Sequence, residues 1–494
     1  MSLSIRAESD LAPNGQDPKR WLALGIIAVS QLMIVLDASI VNIALPSAQH
    51  ALHISTANRQ WVITAYTLAF GGLLLLGGRV ADYLGRKRVF IVGLVGFAAA
   101  SAIGGLAPNS AALFGARALQ GAFAALMAPA ALSLISVTFT EAHERARAFG
   151  VYGAISGGGA AIGLIAGGVL TEYASWRWCL LVNVPVAALA ASAALYVVRD
   201  SRPEKVQGHY DLPGAITATL GLVALVYAFT RAETGGWVSA GTLGFLGGAA
   251  VLLVAFVILE LRSEHPLLPL RVVVDRNRGG SYLTSFLAGL ALFGMFLFLT
   301  FYLQGTLQYS ALKSGFAFLP FSVGIVISAT AAAQLLPRFG PRILMVTGMA
   351  MATVGLVLFT GIGVHSSYLT HVLPSIVIIS LGMGLVFVPL SSTALIGIDE
   401  HDAGVASALV NTTQQVGGSL GTALLNTVAA TATTTYLGSH STTAAVTAAA
   451  VVHGYSVAFT VSAVLLGAGA IAALVLIRPN RNGLPSGELA LATA

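Results

Sequence analysis

The chain has 494 residues, of which 56% are hydrophobic and only 9% charged, and its mean hydropathy is +0.85. A soluble domain needs about 25% charged residues to cover its surface, so this composition describes an integral membrane protein. The formal net charge of +6 rests on a one-sided placement of Lys and Arg and implies no nucleic-acid partner.

Residues 1–20 are mostly polar and read as a cytoplasmic tail. The apolar run that follows is too long for the core of a cleavable signal peptide. Apolar stretches then recur near 21–46, 60–80, 88–107, 110–138, 147–171, 178–198, 212–230, 240–261, 279–304, 314–336, 342–363, 370–395, 404–432 and 454–477. Each is about as long as a bilayer is thick, and none shows the alternation of a transmembrane barrel strand. The expected fold is an all-α polytopic membrane protein with fourteen spans.

The first span holds a lone carboxylate, Asp37, in the run Leu36-Asp37-Ala38-Ser39. A charge at that depth is costly unless it meets water or a partner, which makes Asp37 a functional candidate. After span 2 comes Gly78-Arg79-Val80-Ala81-Asp82-Tyr83-Leu84-Gly85-Arg86-Lys87-Arg88. Here Gly78 is expected to admit a neighbouring helix and Gly85 to make the tight turn, with Asp82 pairing an arginine or capping a helix. Span 4 carries Arg117, the lone basic residue placed deep in a span. At 1.5 Å per residue Arg117 lies about 10 Å, and Asp37 about 13 Å, below the outer surface, so the two are expected to meet. Burial favours a neutral carboxyl and a nearby arginine an ionised one. A conformational change that alters either term would therefore bind or release a proton.

Span 5 sets Gly159, Gly163 and Gly167 four residues apart, with Gly168 beside them, a stripe suited to close helix packing. Tyr66, Gln120, Asn411 and Gln415 are candidates for the wall of a substrate cavity, with the phenylalanines of span 9 (Phe286, Phe293, Phe296, Phe298, Phe301) as weaker ones. Glu260, ending span 8, is expected to snorkel to the surface. His365, His371, His440 and His453 read as surface residues without metal-ligand spacing. The single cysteine, Cys179, excludes an intramolecular disulfide.

With the N-terminus inside, 20 of the 25 Lys and Arg fall on the cytoplasmic side, and only Arg59, Arg177, Arg231 and Lys313 outside. This is the positive-inside pattern, and an even number of spans puts both termini in the cytoplasm. The chain also repeats itself. Gly85 matches Gly340 at an offset of 255, Gly159 and Gly163 match Gly417 and Gly421 at 258, and Pro129 matches Pro389 at 260. The expected organisation is a six-helix bundle at 21–200, a linker with two extra helices at 201–278, a second bundle at 279–478 and a tail at 479–494. Parallel halves around a shared site are a transporter architecture.

The loop after span 2 resembles the signature G-x-x-x-D-x-x-G-R-[KR] of the major facilitator superfamily. Leu36-Asp37 through Pro46, Arg117-Ala118-Leu119-Gln120-Gly121, Trp176-Arg177-Trp178 leading to Asn183-Val184-Pro185, and NTTQQVGGSLG from Asn411 to Gly421 resemble its fourteen-helix drug:proton antiporter branch. The resemblance implies that Gly78, Asp82, Gly85 and Arg86 latch the two halves on the cytoplasmic side. It also implies proton coupling at Asp37 and Arg117. Tyr83 stands where the family often has arginine. Span 5 is similar to G-x-x-x-G-P-x-x-G-G, but Leu164 replaces the proline.

These features together point to a secondary active exporter in a bacterial inner membrane. It would be a monomer that exchanges protons for amphipathic drugs or antibiotics, with the proton gradient as energy source and no cofactor. Export of an endogenous metabolite, siderophore or amino acid on the same fold is the alternative, and a non-transporting membrane sensor or scaffold a remote one. None of the lysines lies in a nucleotide-binding phosphate loop, and no catalytic constellation is visible, so no enzyme is expected.

Overall fold

The computed structural model describes residues 19–139, 141–199, 211–263, 266–268, 270–396, 398, 403–441 and 443–478. Residues 1–18, 201–210 and 479–494 of the expected tails and linker lie outside the described residues, as does the side chain of Asp82.

Among the described residues the chain is helical, with no strand. The first helices are α1 Arg20–Ala51, α2 Trp61–Leu84, α3 Arg86–Gly105, α4 Ser110–Thr138, α5 Ala142–Tyr173, the short α6 Trp178–Leu181 and α7 Asn183–Val197. An inserted pair follows, α8 Leu212–Gly235 and α9 Ala240–Arg262. Then come α10 Leu270–Val274, α11 Arg276–Phe301, α12 Ala311–Ala317, α13 Leu319–Phe359, α14 Leu373–Ala394, α15 Ala403–Gly438 and α16 Ala444–Leu476. Among the described residues, eleven segments are long and apolar enough to cross a membrane.

Helix starts follow local chemistry. Asn109 Oδ1 accepts from the Ala112 amide at 2.9 Å, and Ser239, Ser310 and Thr443 cap α9, α12 and α16 in the same way. Such caps satisfy backbone donors that a helix leaves unpaired at its first turn.

The sequence repeat reappears as geometry. Gly85 and Gly340 both adopt positive φ, +95° and +75°, where a side chain would be strained, and each breaks the helical path. Pro129 and Pro389 both lie inside helices, α4 and α14. Gly163 presses on α1, where an added Cβ would lie 3.1 Å from Leu36 O. Its counterpart Gly421 presses on α11, where the same atom would lie 2.1 Å from Leu290 O. Gly159 and Gly167 continue the contact along α1, and Gly168 meets Leu312 of α12. The stripe therefore lies against α1 and α12, and α5 runs unbroken past Leu164.

One glycine expectation needs correction. An added Cβ on Gly78 would meet Pro129 at an ordinary 3.7 Å, whereas one on Gly77 would lie 1.9 Å from Ala125 O. Gly77, not Gly78, lets α2 and α4 approach. Helix periodicity puts adjacent residues about 100° apart on the helix, so Gly77 faces α4 squarely while Gly78 only borders Pro129.

Within the first bundle α1 packs on α5, and α4 on α2 and α3. In the later part α11 packs on α15 and α16, and α13 on α14 and α16. The inserted pair packs on itself, and α8 also touches α2 and α15.

Candidate functional site

Asp37 is fully buried, and so are the groups that surround it. Arg117 Nη1 donates to Asp37 Oδ2 at 2.5 Å. Gln120 Nε2 and Asn183 Nδ2 both donate to Oδ1, at 3.0 and 2.9 Å. Four elements converge here: α1 brings the acid, α4 brings Arg117 and Gln120 one turn apart, α7 opens with Asn183, and α3 contributes Ser101. The hydroxyl of Ser101 accepts from Gln120 at 2.7 Å.

Arg117 is held on every side. Its Nε donates to Val62 O at 2.9 Å, its Nη1 also to Gln120 Oε1 at 2.8 Å, and its guanidinium lies 4.4 Å from the centre of the Tyr66 ring. The pairing of Asp37 and Arg117 expected from depth is thus present. Removing a single partner from such a buried pair costs about 3–5 kcal/mol, because the other charge stays uncompensated.

The shell around Asp37 consists of N–H donors. Every group bonded to the Asp37 oxygens is a donor, which leaves a carboxylic O–H facing N–H groups rather than an acceptor. Beside it a cavity of ≈ 10 Å³ lies among Val62, Leu113, Arg117 and Cys179, room for about one water.

Gln120, expected on a cavity wall, is buried and committed to the cage instead. Tyr66 is also buried, and its hydroxyl has no hydrogen-bond partner. Asn411 is exposed and Gln415 half-buried on α15, a turn apart. The Cβ of Gln415 lies close against Gly71 of α2. Of the span 9 phenylalanines, Phe298 is core, packed on Tyr455 and Phe459, and Phe296 stacks on Phe318. The latch candidates Gly85 and Arg86 form the turn into α3.

The sequence alone gave three residues of the neighbourhood no role at the site. Asn183 had a signal, a lone amide in an otherwise apolar run. Ser101 had none, since serine is common in packed membrane helices. Arg59, placed in an outer loop, is in fact buried. Its Nε donates to Asn426 Oδ1 at 3.1 Å and its guanidinium lies 4.0 Å from the centre of the Phe301 ring. Further bonds join the earlier and later helices of the chain. Thr67 and Ser419 hydroxyls are 2.7 Å apart, Gln304 donates to Ile43 O at 3.0 Å, and Leu312 N to Glu172 at 2.9 Å. These bonds gather at the end of the bundle that the basic-residue bias assigns to the outside.

Glu260 does not snorkel. It is 4% exposed and accepts from the Leu268 amide at 2.9 Å. The chain turns back after α9, and that return covers the carboxylate. The four histidines expected at the surface are exposed.

A family model described as Major Facilitator Superfamily matches residues 27–422. The chain belongs to the major facilitator superfamily. This major facilitator protein is 53% identical to the puromycin resistance protein of Streptomyces alboniger over 94% of its own length and 93% of that protein's. It is 38% identical to the cephamycin export protein of Amycolatopsis lactamdurans, over 87% and 89% of the two chains. Among solved structures it resembles a bacterial homologue of the human lysosomal transporter Spinster, in an inward-facing and unoccupied conformation. The TM-score is 0.68 at 15% identity, over 96% of this chain and 100% of that one, a likeness of fold alone. Family and apolar helices together make it a multi-pass membrane protein.

Proposed function

We propose that this chain is a proton-coupled exporter of amphipathic antibiotics in a bacterial inner membrane. The observation that carries the reading is the buried cage of Asp37, Arg117, Gln120 and Asn183 in an otherwise apolar bundle. Its donor-only shell would link proton binding to movement, which is what coupling by alternating access requires. The relatives named for puromycin resistance and cephamycin export support the substrate class. An exporter of the cell's own product is the second reading, favoured by the relative named for cephamycin export.

We read fourteen spans with both termini in the cytoplasm. The eleven apolar segments are joined by α5 and α15. The 41-residue α13 would run about 60 Å if straight, twice the thickness of a bilayer core. The break at Gly340 divides it into two spans. The halves would rock as six-helix bundles at 21–200 and 279–478, with the bonds around Arg59 closing the outer side. The loop motif would latch the inner side in the opposite state. Protons and a small amphipathic substrate are the partners, the proton gradient is the energy source with no cofactor, and a monomer suffices.

The test is flux from reconstituted vesicles under an imposed proton gradient, with a dye, puromycin and a cephamycin as cargo and pH recorded together. Export that collapses when the gradient is dissipated supports the reading. Export indifferent to the gradient removes proton coupling, and binding without flux removes transport.

A further inference from the structure

The inserted helix pair contains a second acidic site that the cage at Asp37 does not use. Asp211 caps α8, with Oδ1 accepting from the Gly214 amide at 2.8 Å. Glu260 lies in the last turns of α9, 4% exposed, with Oε2 accepting from the Leu268 amide at 2.9 Å. Each carboxyl has a second oxygen, Asp211 Oδ2 and Glu260 Oε1, that is buried and has no hydrogen-bond donor. These two oxygens converge. An added Cβ on Gly214 would lie 2.8 Å from both, and the Glu260 carboxyl is within hydrogen-bonding reach of Asp211.

Two ionised carboxylates so placed repel, and a buried oxygen without a donor is costly. One proton resolves both problems, since the O–H of one acid donates to the free oxygen of the other. We propose that Asp211 and Glu260 hold a single proton between them as an acid clasp. The clasp ties the start of α8 to the end of α9 and, through the Leu268 amide, to the segment leading into α10. A hard cation is poorly served here, because it takes six or more oxygen ligands and each carboxyl already spends one oxygen on a backbone amide.

Among the described residues, no charged group of the elements packed on the clasp bonds either free oxygen. Asp211 is the charge that bears on Glu260. Arg262 of α9 is exposed, and Arg79 of α2 is bonded to neither free oxygen.

The closed form holds a proton that the opened form releases, so the clasp weakens as pH rises. The test is hydrogen exchange of the full chain in nanodiscs, read at the peptide holding Leu267 and Leu268 and corrected for the chemical pH dependence of exchange. Closure weakens about tenfold per pH unit until the shared proton leaves, so a clasp that holds its proton to about pH 7 gives an increase of about tenfold in exchange between about pH 6 and about pH 9. Glu260→Gln keeps the shape and supplies a permanent N–H donor to Asp211, so it should stay protected at both pH values. Asp211→Asn should do the same from the other side and serves if the first variant fails to fold. A wild-type profile that is flat overturns the clasp, as does a rise that both amide variants retain. Protection restored at high pH by magnesium or calcium would also overturn it, in favour of a cation.

Discussion

Replacing Asp37 by asparagine keeps the size of the side chain and removes its charge, so it isolates what the carboxylate does. The wild-type oxygens take three N–H donors, Arg117 on one and Gln120 with Asn183 on the other. An asparagine has one oxygen and one NH₂ group, so either orientation sets a donor against a donor. Arg117, 1% exposed, then loses its counter-charge. Breaking a buried pair in this way costs about 3–5 kcal/mol, which lowers the population of the closed cage by roughly two to three and a half powers of ten. Purified Asp37→Asn should melt at a lower temperature than the parent, and its proton-driven export from vesicles should be abolished. The double variant Asp37→Asn with Arg117→Gln removes both charges together. It should recover much of the stability and none of the coupled flux, which separates a structural pair from a coupling one. Undiminished proton-driven export by folded Asp37→Asn would falsify the coupling role outright.

Three other outcomes follow from the same geometry. Gly163→Leu places a side chain where even a Cβ lies 2.8 Å from the Cβ of Ser39 and 3.1 Å from a backbone oxygen of α1. It should cost about 1–3 kcal/mol or more by overpacking, seen as reduced folded yield and lost export. Gly340→Ala meets no steric neighbour, but its backbone at φ +75° and ψ 166° is a region nearly confined to glycine. A drop of about 1–3 kcal/mol should appear in thermal melting, and unchanged melting would show that the break between the halves of α13 relaxes freely. Arg59→Ala should loosen the outer seam. Ser419→Cys, buried there in the parent, should then react about tenfold faster with an impermeant thiol reagent if about 1.4 kcal/mol is lost. Cys179, fully buried, should stay silent as the internal control.

The membrane class, the apolar helices and the paired glycine and proline positions were legible in the sequence because each rests on local chemistry. A helix in lipid must be apolar along its length, a proline or a positive-φ glycine acts at its own position, and a lone charge stands out against hydrocarbon. That is why Asp37 and Arg117 could be matched by counting 1.5 Å per residue from the ends of their helices. Counting gives depth and leaves rotation about the helix axis open. Rotation decided that Gly77 rather than Gly78 makes the tight contact with α4, that Gln120 turns inward to the cage, and that Arg59 folds into the bundle. Glu260 shows the same limit. Its position at a helix end suggested an exposed charge, and only the path of the chain after α9 brings the Leu268 amide and Asp211 to it. The sequence by itself determined which residues are too expensive to bury alone. The tertiary structure decided which partners make them affordable, because those partners come from helices 80 to 146 residues apart in the chain and meet only when the helices pack.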